Sequence, residues 1–157
     1  RGIPAITLLC NADYLDLCTF LTRQWEDLGF NIQVEMTETA LLRERMRNGQ
    51  VPFFRASWIA DYPDAESFFS FFYSKNTAPP NYTRFSNAEF DRLYEASLQT
   101  TDTERRYELY QAMDRILVEE APVVFLFYDE TAQFAGRLVQ GLSRNAINLL
   151  SLKRVRK

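Results

Sequence analysis

No histidine occurs among the 157 residues. That absence removes Ser-His-Asp and Cys-His nucleophile arrangements, His-ligated zinc and the commonest general base near neutral pH. Any catalysis would rest on carboxylates, lysine or tyrosine. Cysteine is nearly absent too: Cys10 and Cys18 lie eight residues apart, a spacing that matches no metal or redox motif and does not itself specify a disulfide. Cys18 falls on the apolar face of a predicted helix, where packing is the expected role. No apolar run is long enough to span a bilayer; the densest, Pro122 to Phe127, is strand-sized. There is no basic excess either. A net charge of −3 and a pI near 5.1 leave no face for phosphates, so no nucleic-acid partner is expected. The one basic cluster, Lys153-Arg154-Val155-Arg156-Lys157, reads as a solvated tail or edge strand. No signal peptide is evident, and the chain opens at Arg1 without an initiator methionine. A processed or excised piece is therefore expected, and the lack of targeting signals says nothing about compartment.

What is present is ordinary for a globular chain: 46% apolar and 25% charged residues, with enough length for a hydrophobic core. Ile3 to Leu9 reads as a strand. Asp13 is a candidate N-cap for a helix whose face is Tyr14, Cys18, Leu21, Trp25 and Leu28, closed by Gly29. Asn31 to Met36 alternates like a strand, Thr39 to Asn48 is rich in helix formers and ends at Gly49, and Phe53 to Trp58 is a third strand. This order implies an α/β fold with parallel pairings. A short helix over Asp64 to Tyr73 follows, then a proline-stiffened loop in which Asn81-Tyr82-Thr83 fits the glycosylation pattern, a match common by chance. Capping boxes at Ser86/Glu89 and Thr101/Glu104 open two further helices. Their faces are Phe90, Leu93, Tyr94 with Ser97 or Leu98, and Leu109, Tyr110, Met113, Ile116, Leu117. Val123 to Tyr128 is continuously apolar, as in a strand covered on both faces, and a last strand is expected around Asn148 to Leu152.

The chemically suggestive stretch runs from Phe53 to Glu66. It starts as an aromatic strand carrying Arg55, turns polar and acidic through Asp61, Asp64 and Glu66, and meets Pro63 at a helix start. An arginine and three acids at such a junction can hold a charged ligand. The bland alternatives are concrete. Asp61 can cap the turn before Pro63, Asp64 and Glu66 can stabilise a helix N-terminus, and Arg55 can pair with a nearby acid. Trp58 can be core or pocket wall, and Phe68 to Phe72 can be core or inter-lobe packing.

The segment Arg55-Ala56-Ser57-Trp58-Ile59-Ala60-Asp61-Tyr62-Pro63-Asp64 resembles the extracytoplasmic solute-binding proteins of ABC transporters, in the oligopeptide/dipeptide/nickel family. Leu28-Gly29-Phe30-Asn31-Ile32, Phe85 to Leu93, Arg105 to Leu117 with Ala121-Pro122-Val123-Val124, and Gly141-Leu142 with Asn145 resemble the same family in collinear order. Family members are some three times longer and two-lobed, so the resemblance implies the C-terminal part only. The implied fold is one lobe of a type II periplasmic-binding-protein-like fold, a mixed sheet flanked by helices. Residues 1–135 would form that lobe, and 136–157 would return to the missing N-terminal lobe.

The resemblance also implies roles. It casts Asp61 as the carboxylate that holds a peptide's α-ammonium. Ala56, Ser57 and Trp58 become the edge that pairs with an extended peptide, and Arg55 a partner for the peptide's C-terminal carboxylate. Arg55 and Asp61 are six positions apart, about 20 Å if extended. A tripeptide spans about 10 Å, so the chain must bend after Trp58 if both are to meet one short peptide. Short peptides, an ABC permease and the missing lobe are the implied partners; no cofactor, metal or catalytic residue is expected, and an extracytoplasmic location is implied. A sensor reusing the lobe, and nickel complexes, haem or sugars as ligand, remain open. A hydrolase built on Asp61, Asp64 and Glu66 is the third class.

Overall fold

In the computed structural model, residues 4–128, 132, 134–143 and 150–156 are described. They divide into two compact units. The first comprises the chain up to Trp58 together with Phe71–Ser86, and the second comprises Ile59–Ser70 and the chain from Asn87 onward.

The first unit is built on a parallel strand pair. β1 (Ile6–Cys10) runs beside β2 (Ile32–Met36) in a register from Ile6↔Ile32 to Cys10↔Met36, with α1 (Leu15–Asp27) connecting them. Because side chains alternate along β1, its two faces feed two cores. Leu8 and Cys10 pack with Cys18 of α1 and Ile32, bordered by Tyr14, Trp25 and Phe53. Leu9 packs on the other side with Leu42 and Met46 of α2 (Thr39–Arg47) and with Val51. This is the α/β layering expected from the sequence. Gly49 takes the left-handed conformation (φ +69°) that stops α2. Arg84 closes that end further by donating from Nη2 to the Arg47 carbonyl at 2.8 Å and towards the Met46 carbonyl at 3.4 Å.

The second unit packs α4 (Ala88–Gln99) against α5 (Thr103–Glu120), with the single turn α3 (Glu66–Phe69) beside them. Phe90 and Met113 are fully buried, and Leu93, Tyr94, Ser97, Leu109, Tyr110 and Leu117 of the same two helices are buried too. Among the described residues, no helix is long and apolar enough to cross a membrane.

Several expectations need correction. The third strand, Phe53 to Trp58, shrinks to one parallel bridge between Leu9 and Phe54. The chain leaves the sheet after the Arg55 N–H donates to the Leu9 carbonyl at 2.9 Å. The Asp64–Tyr73 helix is only Glu66–Phe69. Asp13 lies in a short 3-10 turn (Ala12–Tyr14) and caps nothing. Asn87, not Ser86, caps α4, accepting from the Glu89 and Phe90 N–H groups at 3.0 Å each. Asp102, not Thr101, caps α5, accepting from Arg105 N–H at 2.7 Å. Asparagine and aspartate present a flat acceptor to those orphan amides and outcompete the neighbouring hydroxyl. Asn81 is buried, and its amide donates to the Tyr73 and Phe85 carbonyls at 3.2 and 2.9 Å, so the glycosylation match is closed off. Val123 to Tyr128 forms no strand. Phe125 and Phe127 are 58% and 57% exposed, because no strand among the described residues pairs with the run. Residues 144–149 lie outside the described residues, so Asn145 and most of the expected last strand do too; Leu150 to Leu152 are not strand.

Truncating Phe90 leaves a large void in the α4–α5 core. Phe90→Ala is expected to lower unfolding free energy by about 3–4 kcal/mol, read as a shift in the urea midpoint at unchanged m-value.

Candidate functional site

Arg55, Ala56, Ser57 and Trp58 belong to the first unit, and Asp61 belongs to the second. Each group is therefore built from its own surroundings.

Arg55 is held by its neighbours. Its guanidinium carbon lies 3.0 Å above the centroid of the Tyr14 ring, and Nη1 donates to the Ser57 hydroxyl at 3.2 Å. Its buried Nε has no hydrogen-bond partner, and no carboxylate pairs with it among the described residues. The expected ion pair with a nearby acid is thus not what fixes it. A stacked guanidinium with an unused N–H suits a planar anion. Cys18 lies close enough to feel this charge. Burial nevertheless pushes its thiol up to about 11, helped by the Cys10 thiol beside it and only partly countered by Arg55. It therefore stays a neutral packing group.

Beyond Arg55 the backbone of Ala56 and Ser57 makes no hydrogen bond to other backbone among the described residues, and both residues are exposed. Trp58 is 43% exposed and meets Phe71 edge-on at 4.5 Å. It is therefore partly exposed rather than a core residue.

Asp61 is exposed, and its carboxylate has no partner among the described residues. It does not cap the turn before Pro63. Its backbone N–H instead donates to the hydroxyl of buried Ser67 at 3.2 Å. The capping task falls to Asp64, whose Oδ1 accepts from the Glu66 N–H at 3.0 Å. Asp64 does more. Oδ1 also accepts from the Tyr110 hydroxyl at 2.7 Å, and Oδ2 accepts from Arg106 Nη2 at 2.8 Å. Arg106 Nη2 in turn donates to the Tyr110 oxygen at 2.5 Å. Glu66 accepts from the Tyr94 hydroxyl, and Phe69 stacks on Tyr110 with centroids 5.2 Å apart. Asp64 and Glu66 are therefore structural, as the helix-start reading expected.

Burial pushes the Asp64 carboxyl up, but hydrogen bonds from Glu66 N–H, Tyr110 and Arg106 outweigh it and leave the pKa below the usual value. Burial and the same carboxylate push the Tyr110 hydroxyl up to about 12, so it remains a donor.

Tyr14, Ser67, Arg106 and Tyr110 were not singled out by sequence reasoning as site residues. Arg106 and Tyr110 stand four apart in α5 and so share one face, the only local hint that both serve one partner.

Residues 6–80 match the family described as bacterial extracellular solute-binding proteins, family 5 middle. The chain is 23% identical over 154 residues to the dipeptide-binding protein DppE of Bacillus subtilis, covering 96% of this chain and 28% of the relative. It is 27% identical over 133 residues to the oligopeptide-binding protein OppA of Bacillus subtilis, covering 82% of this chain and 24% of the relative. Among solved structures, Haemophilus influenzae OppA in complex with the peptide RPPGFSPFR matches with a TM-score of 0.83 at 22% identity, over 98% of this chain and 31% of that one. That likeness establishes the fold as one lobe of the type II periplasmic-binding architecture. The chain thus spans only about a quarter of the length of these curated relatives.

Because Asp64 binds protons less readily when folded, its contribution is present above the ordinary aspartate value of 3.8 and is lost as pH falls through its lower folded pKa. Asp64→Asn is expected to cost about 1–2 kcal/mol at pH 6, with the gap to wild type closing once pH drops below 3.8. Urea unfolding across pH reads both.

Proposed function

Given that the chain belongs to the family 5 bacterial extracellular solute-binding proteins, we propose that it is the C-terminal lobe of an ABC importer's binding component, which captures short unblocked peptides outside the cytoplasm. Residues 1–135 supply the lobe, and 136–157 return to the N-terminal lobe, which closes over the ligand by a hinge motion. An ABC permease receives the peptide.

The observation that carries this reading is Asp61. A carboxylate with no partner among the described residues, on a turn whose backbone is fixed by Ser67, is ready for an ammonium and needs little rearrangement to bind one. Once the second lobe excludes water, that pair strengthens well beyond its value on an open surface. Ala56 and Ser57, whose backbone bonds to no other backbone among the described residues, offer it for the main-chain bonds of an extended peptide, which hold a chain without reading its side chains. Trp58 walls that edge. Arg55, already stacked and with no acid partner among the described residues, is the receptor for a peptide carboxylate.

This role requires no catalytic group, cofactor or metal. A hydrolase would need several converging carboxylates, and Asp64 and Glu66 are instead engaged with Arg106, Tyr110 and Tyr94.

In the full-length protein, Asp61→Asn is expected to weaken tripeptide binding at least about tenfold, because a desolvated charge pair is lost. Calorimetry with a tripeptide and its N-acetylated form checks the assignment. Equal affinity of wild type for the two forms would falsify the ammonium role.

A further inference from the structure

We infer that Arg106 and Tyr110, acting through Asp64, are positioning residues for the Asp61 carboxylate, so that a clamp on α5 sets how tightly a ligand ammonium is recognised. This rests on the ammonium role of Asp61.

Little freedom separates Asp61 from Asp64. Pro63 fixes its own φ, and the Asp64 N–H donates to the Tyr62 carbonyl at 2.8 Å. The Ser67 N–H returns to the Asp64 carbonyl at 3.2 Å, while the Ser67 hydroxyl receives the Asp61 N–H at the same distance. Residues 61–67 thus close on themselves. A closed turn still needs an external reference if its one exposed carboxylate is to stay in a fixed place.

Asp64 supplies that reference. Both of its oxygens are engaged from α5, by Arg106 at 2.8 Å and Tyr110 at 2.7 Å, across 42 and 46 residues of sequence. The pair is largely shielded, with side-chain exposures of 29% for Arg106 and 28% for Asp64, so it is not a freely solvated surface pair. Tyr110 contributes twice, since its hydroxyl accepts from Arg106 while its ring stacks on Phe69 at the end of α3. Tyr94 on α4 holds Glu66 two residues further on. The turn is therefore tied at Asp64, Glu66 and Phe69, whereas the Asp61 side chain makes no hydrogen bond or ion pair with these groups.

For a charge pair formed in a site closed to water, displacement of one member by about an ångström costs far more than it does at a surface, because attraction at close range is what offsets desolvation. Loosening Asp64 should therefore act selectively on ligands that carry an ammonium. It should leave ligands held by main-chain bonds alone nearly untouched.

The test uses the full-length protein with a free tripeptide and its N-acetylated form, comparing wild type with Tyr110→Phe, Arg106→Lys and a packing control, Met113→Leu. Tyr110→Phe keeps the ring on Phe69 and removes only the hydroxyl, so folding is retained. Arg106→Lys keeps the charge and removes the guanidinium geometry. The expected result is about a fivefold loss of affinity for the free peptide in the two clamp variants, less than about twofold for the acetylated one, and an unchanged ratio in Met113→Leu. Hydrogen exchange at the Asp61 amide, without ligand, should speed up by about tenfold in Tyr110→Phe while buried amides of α4 stay protected. Clamp variants that lose both peptides in parallel, or lose neither, contradict the inference alone. Unchanged exchange at Asp61 contradicts it even without a ligand. A wild type with no preference between the peptides overturns the ammonium role, and the inference with it.

Discussion

The charge on Asp64 organises the whole of the turn that presents Asp61. Its two oxygens receive a backbone N–H, a phenol and a guanidinium, and these donors come from α3 and from the same face of α5. Remove the charge and the donors of Arg106 and Tyr110 lose a shared acceptor in a region that water reaches poorly. The acid stays ionised because those donors outweigh the cost of its burial. The exposed Asp61 carboxylate has no partner of its own among the described residues, while the backbone that carries it is held by others.

The first unit follows a different logic. Its strand pair is covered by α1 on one face and α2 on the other, and the bond from the Arg55 N–H to the Leu9 carbonyl is the chain's last tie to the sheet at this edge. Just past that point the chain has a stacked arginine, two residues of exposed backbone and a half-open tryptophan. An ordered sheet that releases a strand early provides a rigid origin for an edge that is not yet paired. In the proposed role, an extended peptide takes the place of the next strand.

Helices were legible in the sequence because their determinants are local. The stripes of α4 and α5, and the glycines that end α1 and α2, lie within one segment each, and the structure keeps them: Phe90, Leu93 and Tyr94 are buried, as are Leu109, Tyr110 and Met113. The cap errors are one residue each, where Asn87 and Asp102 displaced the adjacent Ser86 and Thr101. Strands were less legible, since a strand exists only with a partner elsewhere in the chain. Phe53 to Trp58 and Val123 to Tyr128 have strand composition, but the first keeps one bridge and the second none among the described residues. At the site, resemblance located Asp61 and assigned it an ammonium. The support from Arg106 and Tyr110 was not legible, because no local pattern links residues more than forty positions apart.

The central claim is that Asp61 faces the ammonium of a short peptide. The most direct measurement is a crystal structure of the full-length protein with an unblocked tripeptide. The ligand's α-ammonium nitrogen is expected within about 3 Å of an Asp61 carboxylate oxygen, with the Asp64–Arg106–Tyr110 contacts intact. An ammonium held by another residue, with Asp61 directed into solvent, would contradict it.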